Sequence, residues 1–394
     1  MSDEYLHGVR VNEITETLRT LTVSSTSVIG LVATAEDADP EVFPLNKPIL
    51  LTGITSAVMA KAGKTGTLSR ALDGILDITN TKVIVVRVAE VEDEAQMKAN
   101  VIGGVNENGE YSGLKAFLVA QAVTGVKPRI FVIPKYDSQE AVTELLTVAK
   151  KLNGFVYASC YGCKTKEQAV QYRRQFSQRE LMLIFGDFLS FNPVTKKTEV
   201  DYAVTRAAAM RAYQDKTQGW HTAISNKDLT GVTGVTNPLS FDINDADTDV
   251  NYLNEQGITC CINYNGYKFW GVRTCSTDKT FLYENQTRTA QVLRDTIAQS
   301  FDWAIDKNIS VTLVKEIVEA INSKWRYWTN EGKLVGGKAF VKKEFNTTET
   351  LKDAKLLIGY DYCAAPLLEQ LEFNQYVSDE YLVNLADEIA KVGA

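Results

Sequence analysis

The run Arg129-Ile130-Phe131-Val132-Ile133-Pro134, followed by Gln139 to Leu152, Phe155 to Ser159, Lys166 to Phe176, Leu181 to Phe185 and Tyr202 to Asp215, decides the fold class. Short apolar runs at 129–134, 155–159 and 181–185 read as strands. The segments between and after them read as helices, the last one rich in alanine. Such alternation is the signature of parallel β/α units and points to an α/β fold, extended here over residues 96–275.

Toward the N-terminus, Val28-Ile29-Gly30-Leu31-Val32 and Lys82 to Val88 are β-branched runs that flank a proline-containing stretch and a helical pattern near residues 55–76. They predict a small α/β domain over 23–95, with a linker near Glu90 to Glu94. Ahead of it, Tyr5, His7, Val9 and Val11 alternate with polar residues, which predicts an extended arm within residues 1–22. Toward the C-terminus, a helix is expected from Arg288 to Ile305. A second is expected from Val311 to Thr329, with Val314, Ile317, Val318, Ile321, Trp325 and Trp328 on one side and Gly332, Gly336 and Gly337 ending it. Strand-like segments follow at Ala339 to Phe345, Lys355 to Tyr362 and Leu371 to Val377, then a short amphipathic piece from Tyr381 to Val392. These make up a C-terminal domain over 276–394.

The chain has 394 residues, 45% of them apolar, which suits two or three compact domains. A formal net charge of −7 argues against nucleic acid as partner, because that affinity comes from Lys and Arg neutralising phosphates. No run of about eighteen apolar residues could span a bilayer and the opening residues are acidic, so folding in the cytoplasm without membrane insertion is expected. The six cysteines are then expected as thiols, Cys160-x-x-Cys163 included.

Motifs for chemistry are incomplete. Ala62-Gly63-Lys64-Thr65-Gly66 carries the Gly-Lys-Thr half of a phosphate loop, but the first glycine of that pattern would fall at Val58, so a turn is the expectation. Only two histidines exist, His7 and His221, and no G-x-S-x-G elbow accompanies them. Asp245, Asp247 and Asp249 fill the first positions of a calcium loop, yet Val250 and Gln256 stand where glycine and glutamate are required. No catalytic residue, metal or cofactor is expected.

From Gly231 onward the residues become specific: Gly231-Val232-Thr233-Gly234, then Leu253-Asn254-Glu255-Gln256-Gly257-Ile258, then Asn265-Gly266-Tyr267-Lys268-Phe269-Trp270-Gly271-Val272-Arg273-Thr274. L-N-x-x-G-I followed by G-(Y/F)-(K/R)-(F/L)-W-G-x-R-T resembles the signature of contractile tail sheath proteins. Arg288-Thr289, Trp303 to Lys307 and Asp361-Tyr362 to Pro366 continue the likeness. His7-Gly8-Val9, Phe43 to Pro48, Thr124 to Arg129 and Phe176 to Leu181 look like the sheaths of temperate enterobacterial myophages, so the resemblance covers nearly the whole chain.

The resemblance implies a multidomain α/β protein: a central subtilisin-like domain lacking a catalytic triad, a small N-terminal α/β domain, an α+β C-terminal domain and extended terminal arms. It implies a structural subunit, not an enzyme, in a helical stack of hexameric rings around a tail tube protein, bounded by baseplate and tail terminator proteins. Such a stack is assembled in the host cytoplasm and carried in the virion, and its contraction drives the tube through the host envelope. The arms would add strands to neighbours, through Tyr5, Val9, Val11 and Ile14 at one end and Leu371, Phe373 and Tyr376 at the other; pairing within one subunit is the alternative. Lys315, Lys324, Arg326 and Lys333 on and after the second C-terminal helix are candidates to meet acidic tube residues, against a merely solvated face, since Glu316, Glu319 and Glu331 nearly balance them. A headless R-type bacteriocin sheath is the nearest rival reading, and an α/β hydrolase-like enzyme rests on fold analogy alone.

Overall fold

A computed structural model describes residue 21 and residues 25–392. Among the described residues, thirteen strands form three sheets. The strands are β1 (Ile29–Thr34), β2 (Pro48–Leu51), β3 (Val83–Val88), β4 (Ile130–Val132), β5 (Phe155–Ser159), β6 (Leu181–Phe185), β7 (Phe188–Asn192), β8 (Lys197–Asp201), β9 (Val232–Val235), β10 (Ile258–Asn263), β11 (Tyr267–Trp270), β12 (Leu334–Phe340) and β13 (Gly359–Ala364). The largest sheet runs β11-β10-β6-β5-β4-β1-β3-β2. Its six inner strands are parallel, and β2 and β11 close the edges antiparallel.

Parallel strands joined by helical crossovers have both faces covered, so their sequences are near-continuous apolar runs. In β3, Ile84, Val86 and Val88 point into one apolar cluster with the helix Gln139–Leu152, while Val83 and Val85 point into another with the helices Leu68–Leu76 and Ala203–Thr217. Register fixes these faces: Leu31 pairs Val85 on one side and Val132 on the other.

β1, β2 and β3 continue the sheet of β4, β5, β6 and β10, with β1 lodged between β3 and β4. The link near Glu90 to Glu94 is a crossover within one sheet.

The C-terminal region also differs from its sequence reading. The first helix is Glu284–Ser300, a turn earlier than expected, and Ile305 is 70% exposed beyond it. The second is Val311–Asn330. The following strand is β12 at Leu334–Phe340, so Gly336 and Gly337 lie inside a strand instead of ending a helix, and β13 starts at Gly359. Gly337 is required there by close approach: a Cβ would sit 2.4 Å from Trp325 Cδ1. Residues 371–377 form no strand. The last helix is Glu380–Val392. The N-terminal arm, with Tyr5, His7, Val9, Val11 and Ile14, lies outside the described residues.

Candidate functional site

The loop Ala62 to Gly66 already holds an anion of the chain's own. Lys64 N and Thr65 N donate to the two carboxylate oxygens of Asp37 at 2.7 and 3.0 Å, and Thr65 Oγ1 donates at 2.5 Å. Thr65 is the largest cause holding the Asp37 carboxyl down at about 2. The amides that a phosphate would need are therefore occupied.

Half-buried His221 lies beside Trp220; burial first, then Lys333 and Arg211, keep its pKa below the ordinary value. In the acidic loop, Asp245 accepts from Asp247 N at 2.8 Å and Asp249 pairs with Lys166 at 2.5 Å. Among the described residues no group of three or more His, Cys, Asp or Glu is placed to hold a metal ion. A cleft of about 620 Å³ opens where β1, β3 and β4 end, lined by Glu36, Glu90, Glu94, Lys135, Tyr136 and Tyr161 among others, with no histidine or cysteine in its wall.

The signature residues from 253 to 274 fasten an edge. Buried Leu253 anchors the helix Asp249–Glu255, and Asn254 Nδ2 donates to Ile258 O and Trp270 O at 3.0 Å each, tying that helix to both strands of the β10–β11 pair. Phe269 packs edge-on to Phe188 in the core, and Trp270 packs edge-on to Phe241. Arg273, just past β11, is aimed outward: Nε and Nη2 grip Glu369 at 2.8 and 2.9 Å, and Tyr283 Oη donates to the same carboxylate at 2.8 Å. A bidentate guanidinium–carboxylate pair fixes direction as well as position.

A second set of charges locks the 284–300 helix onto the α/β body. Arg211 meets Asp215 at 2.8 Å and Glu284 at 3.4 Å, Arg288 meets Asp215 at 2.6 Å, and Tyr157 Oη donates to Glu284. These side chains are at most 1% exposed. Burial would lower the pKa of Arg211, but Asp215 and Glu284 reverse this and raise it, so the guanidinium stays charged. Further along, Arg129 pairs with Asp295 at 2.6 Å, Gln291 Nε2 donates to Gly154 O and Asn153 Nδ2 to Gln291 O, both at 2.7 Å. Buried pairs are costly to desolvate and more costly to break singly, which makes this junction a fixed one.

Outside the clamp, the 311–330 helix buries Leu313, Ile317, Ile321, Trp325 and Trp328 against β12 and the 284–300 helix. Trp325 Nε1 donates to Asp361 O at 3.0 Å. Of the four candidate cations, Arg326 is paired with Glu319 at 2.6 Å, Lys333 lies over Trp220 and 3.8 Å from Glu331, and Lys324 lies over Tyr327 and Trp328. Lys315 is exposed.

β12 and β13 pair only with each other, so both outer edges of that sheet are open among the described residues. Beyond Glu369 the chain runs out: Leu371 is 62% exposed, Phe373 83%, Tyr376 86% and Val377 91%. The 380–392 helix that follows exposes Tyr381, Leu382, Leu385 and Ile389.

Three family models match: the phage tail sheath protein central domain over residues 104–275, the phage tail sheath C-terminal domain over 276–378, and the tail sheath protein Gp18 domain III N-terminal region over 26–88. The tail sheath protein of Escherichia phage P2 is 47% identical over 99% of each chain. The chain belongs to the phage tail sheath family. The major tail sheath protein of Serratia phage KSP20 is 39% identical over 97% of each chain. The fold is shared with the helical sheath of the anti-feeding prophage in its contracted state, at TM-score 0.70 and 15% identity over 95% of this chain and 100% of that one.

This sheath protein of a contractile tail thus has relatives that are structural, and its edge motif contains the residue, Arg273, that holds Glu369 at the root of the C-terminal arm. Sequence reasoning found Arg273 as part of a pattern and missed its partner: Glu369 lies 96 positions away, in a segment with no periodicity to flag it. The clamp was missed too. Glu284 lies ahead of the helix expected from Arg288, and nothing in the sequence marks Glu284, Arg288 and Thr296 as the buried residues they are.

Proposed function

We propose that the chain is the repeating subunit of a sheath built as stacked hexameric rings around a tail tube, joined by exchanged terminal arms and contracting as rigid bodies that move on those arms. The observation that carries this reading is the C-terminal arm. It leaves the body at the Arg273–Glu369 grip with Leu371, Phe373 and Tyr376 exposed, near a two-stranded sheet with open edges. An exposed apolar strand and an unpaired sheet edge are the two halves of strand augmentation, and each is a liability unless a neighbour supplies the other. Tyr5, Val9, Val11 and Ile14 would supply the second donor strand.

In this reading residues 276–394 face the tube, with Lys315 as the cation most available to an acidic tube surface, and Lys324, Arg326 and Lys333 already engaged at home. Residues 96–275 form a domain that is subtilisin-like in the family's terms, with 23–95 as the small α/β domain beside it. Baseplate and tail terminator proteins would bound the stack, assembled in the host cytoplasm and retained in the virion. The energy of contraction would come from the difference between two packings of the same subunits.

The test is negative-stain electron microscopy of the full chain, of a chain lacking residues 1–14 and of one lacking residues 370–394. Cylinders from the full chain and dispersed globules from each truncation are expected. Cylinders that survive both truncations would remove arm exchange from the account.

A further inference from the structure

Cys160-Tyr161-Gly162-Cys163 leaves the carboxyl end of β5 as a tight turn. Cys163 N donates to Cys160 O at 3.0 Å, and Gly162 takes φ +72°. A four-residue turn with that hydrogen bond and a positive φ at its third residue is of type II, and it brings the outer Cα atoms within about 7 Å. Disulfides span Cα separations of about 4.4–6.8 Å, so the backbone already sets these two cysteines at bridging distance. Their side chains pack against the same apolar cluster, Cys160 buried and Cys163 partly exposed. All six cysteines are free thiols in this structure.

Register excludes Cys260 as a competitor. Ser159 pairs with Ile184, so Cys160 comes level with Phe185, and Phe185 pairs with Cys260 on its other side. Two strand spacings, about 10 Å, then separate Cys160 from Cys260, beyond the reach of a disulfide.

We propose that Cys160 and Cys163 are a dithiol modification site that a low-molecular-weight disulfide oxidises to an intramolecular bond. Cys163, the partly exposed member, loses its proton to solvent, and its thiolate attacks one sulfur of the small disulfide. A mixed disulfide forms, and one small thiolate leaves and takes up a proton. Cys160 then loses its proton and attacks Cys163 Sγ, so that the Cys160–Cys163 bond forms as the second small thiolate departs. Two protein thiols are oxidised and one small disulfide is reduced to two thiols. Burial raises the pKa of both cysteines, so the reaction accelerates as the pH rises through and past the ordinary thiol range.

The experiment exposes the folded full-length chain to glutathione disulfide near pH 8.5, about the ordinary thiol pKa. Remaining thiols are then blocked with iodoacetamide, and peptides are weighed. The expected product is a peptide carrying both cysteines, lighter by two hydrogen atoms and closed to alkylation. In Cys160→Ser the glutathione adduct should accumulate on Cys163, and in Cys163→Ser Cys160 should stay reduced. An unresolved adduct on Cys163 in the unsubstituted chain, full alkylation of both thiols after prolonged exposure, or a bond from Cys160 to Cys275 would each overturn the proposal. The result in the unsubstituted chain decides even if a serine variant fails to fold. The readout is chemical and independent of whether the sheath assembles.

Discussion

Two apolar stretches of this chain, Val83 to Val88 and Leu371 to Val377, have opposite fates. In β3 all six residues are buried, and even Arg87 is satisfied, its guanidinium donating to Phe43 O at 2.5 Å and Ala35 O at 2.8 Å. In the arm, Leu371, Phe373 and Tyr376 stand in solvent. Both carry large apolar side chains, and what differs is the presence of a neighbouring backbone. β3 is paired on both sides, by β1 and β2, whereas no strand lies beside residues 371–377 among the described residues. The body finds its strand partners within one copy, and in the proposed reading the arm finds its own in a neighbour.

The sharpest way to break that contrast is to open the body. Arg211→Ala would leave Glu284 buried without its cation and Asp215 with Arg288 alone, and we expect a loss of about 3–5 kcal/mol in urea denaturation. A loss under about 1 kcal/mol would mean that the junction relaxes and the body is less fixed than its contacts imply.

Gly337→Ala is expected to cost about 1–3 kcal/mol, because the new methyl group meets Trp325 and either the strand or the indole must shift. The accompanying change in tryptophan fluorescence should be confined to the C-terminal lobe.

A smaller effect appears only as a pH dependence. Burial is the largest influence on Asp137 and pushes its carboxyl up from 3.8 to about 6, despite the hydrogen bonds from Ser159. Between those values the folded chain keeps a proton that the unfolded chain has released. The contribution of this group is therefore complete below 3.8 and is lost as the pH rises through about 6. Asp137→Asn removes the titration, so the unfolding free energy of the variant should gain on that of the parent as the pH rises through this window. A constant difference would place the Asp137 titration elsewhere.

The smallest expected effect on the subunit is the most telling for the arm. Phe373→Ser should leave subunit stability within about 0.5 kcal/mol while cylinders are lost under the microscope. A clear loss of stability would show that Phe373 packs at home.

Much of the body was legible in the sequence. The strands and helices expected between 129 and 215 fall where their periodicity puts them, because short apolar runs and amphipathic helices carry that information locally, whereas β7 and β8, partly exposed, were not read. Sheet order is non-local, which is why the pairing of β1 with β4 could not be read from either run alone. Glycine misled in the C-terminal region: Gly336 and Gly337 are common terminators, but Gly337 answers to Trp325 across the strand. The Arg211–Glu284 clamp was hidden because buried charge looks like exposed charge when its partner is 73 residues away.

The Arg273–Glu369 grip also has a mechanical side. A pull on residues beyond 370 would not travel first into β13 and peel it from β12. Tension would arrive at Glu369 and pass to Arg273 at the end of β11 and to Tyr283 at the start of the 284–300 helix, both rooted in the body. The tether is made fast upstream of its most fragile sheet, so a tug between neighbours would turn the whole subunit before it unzipped any part of it.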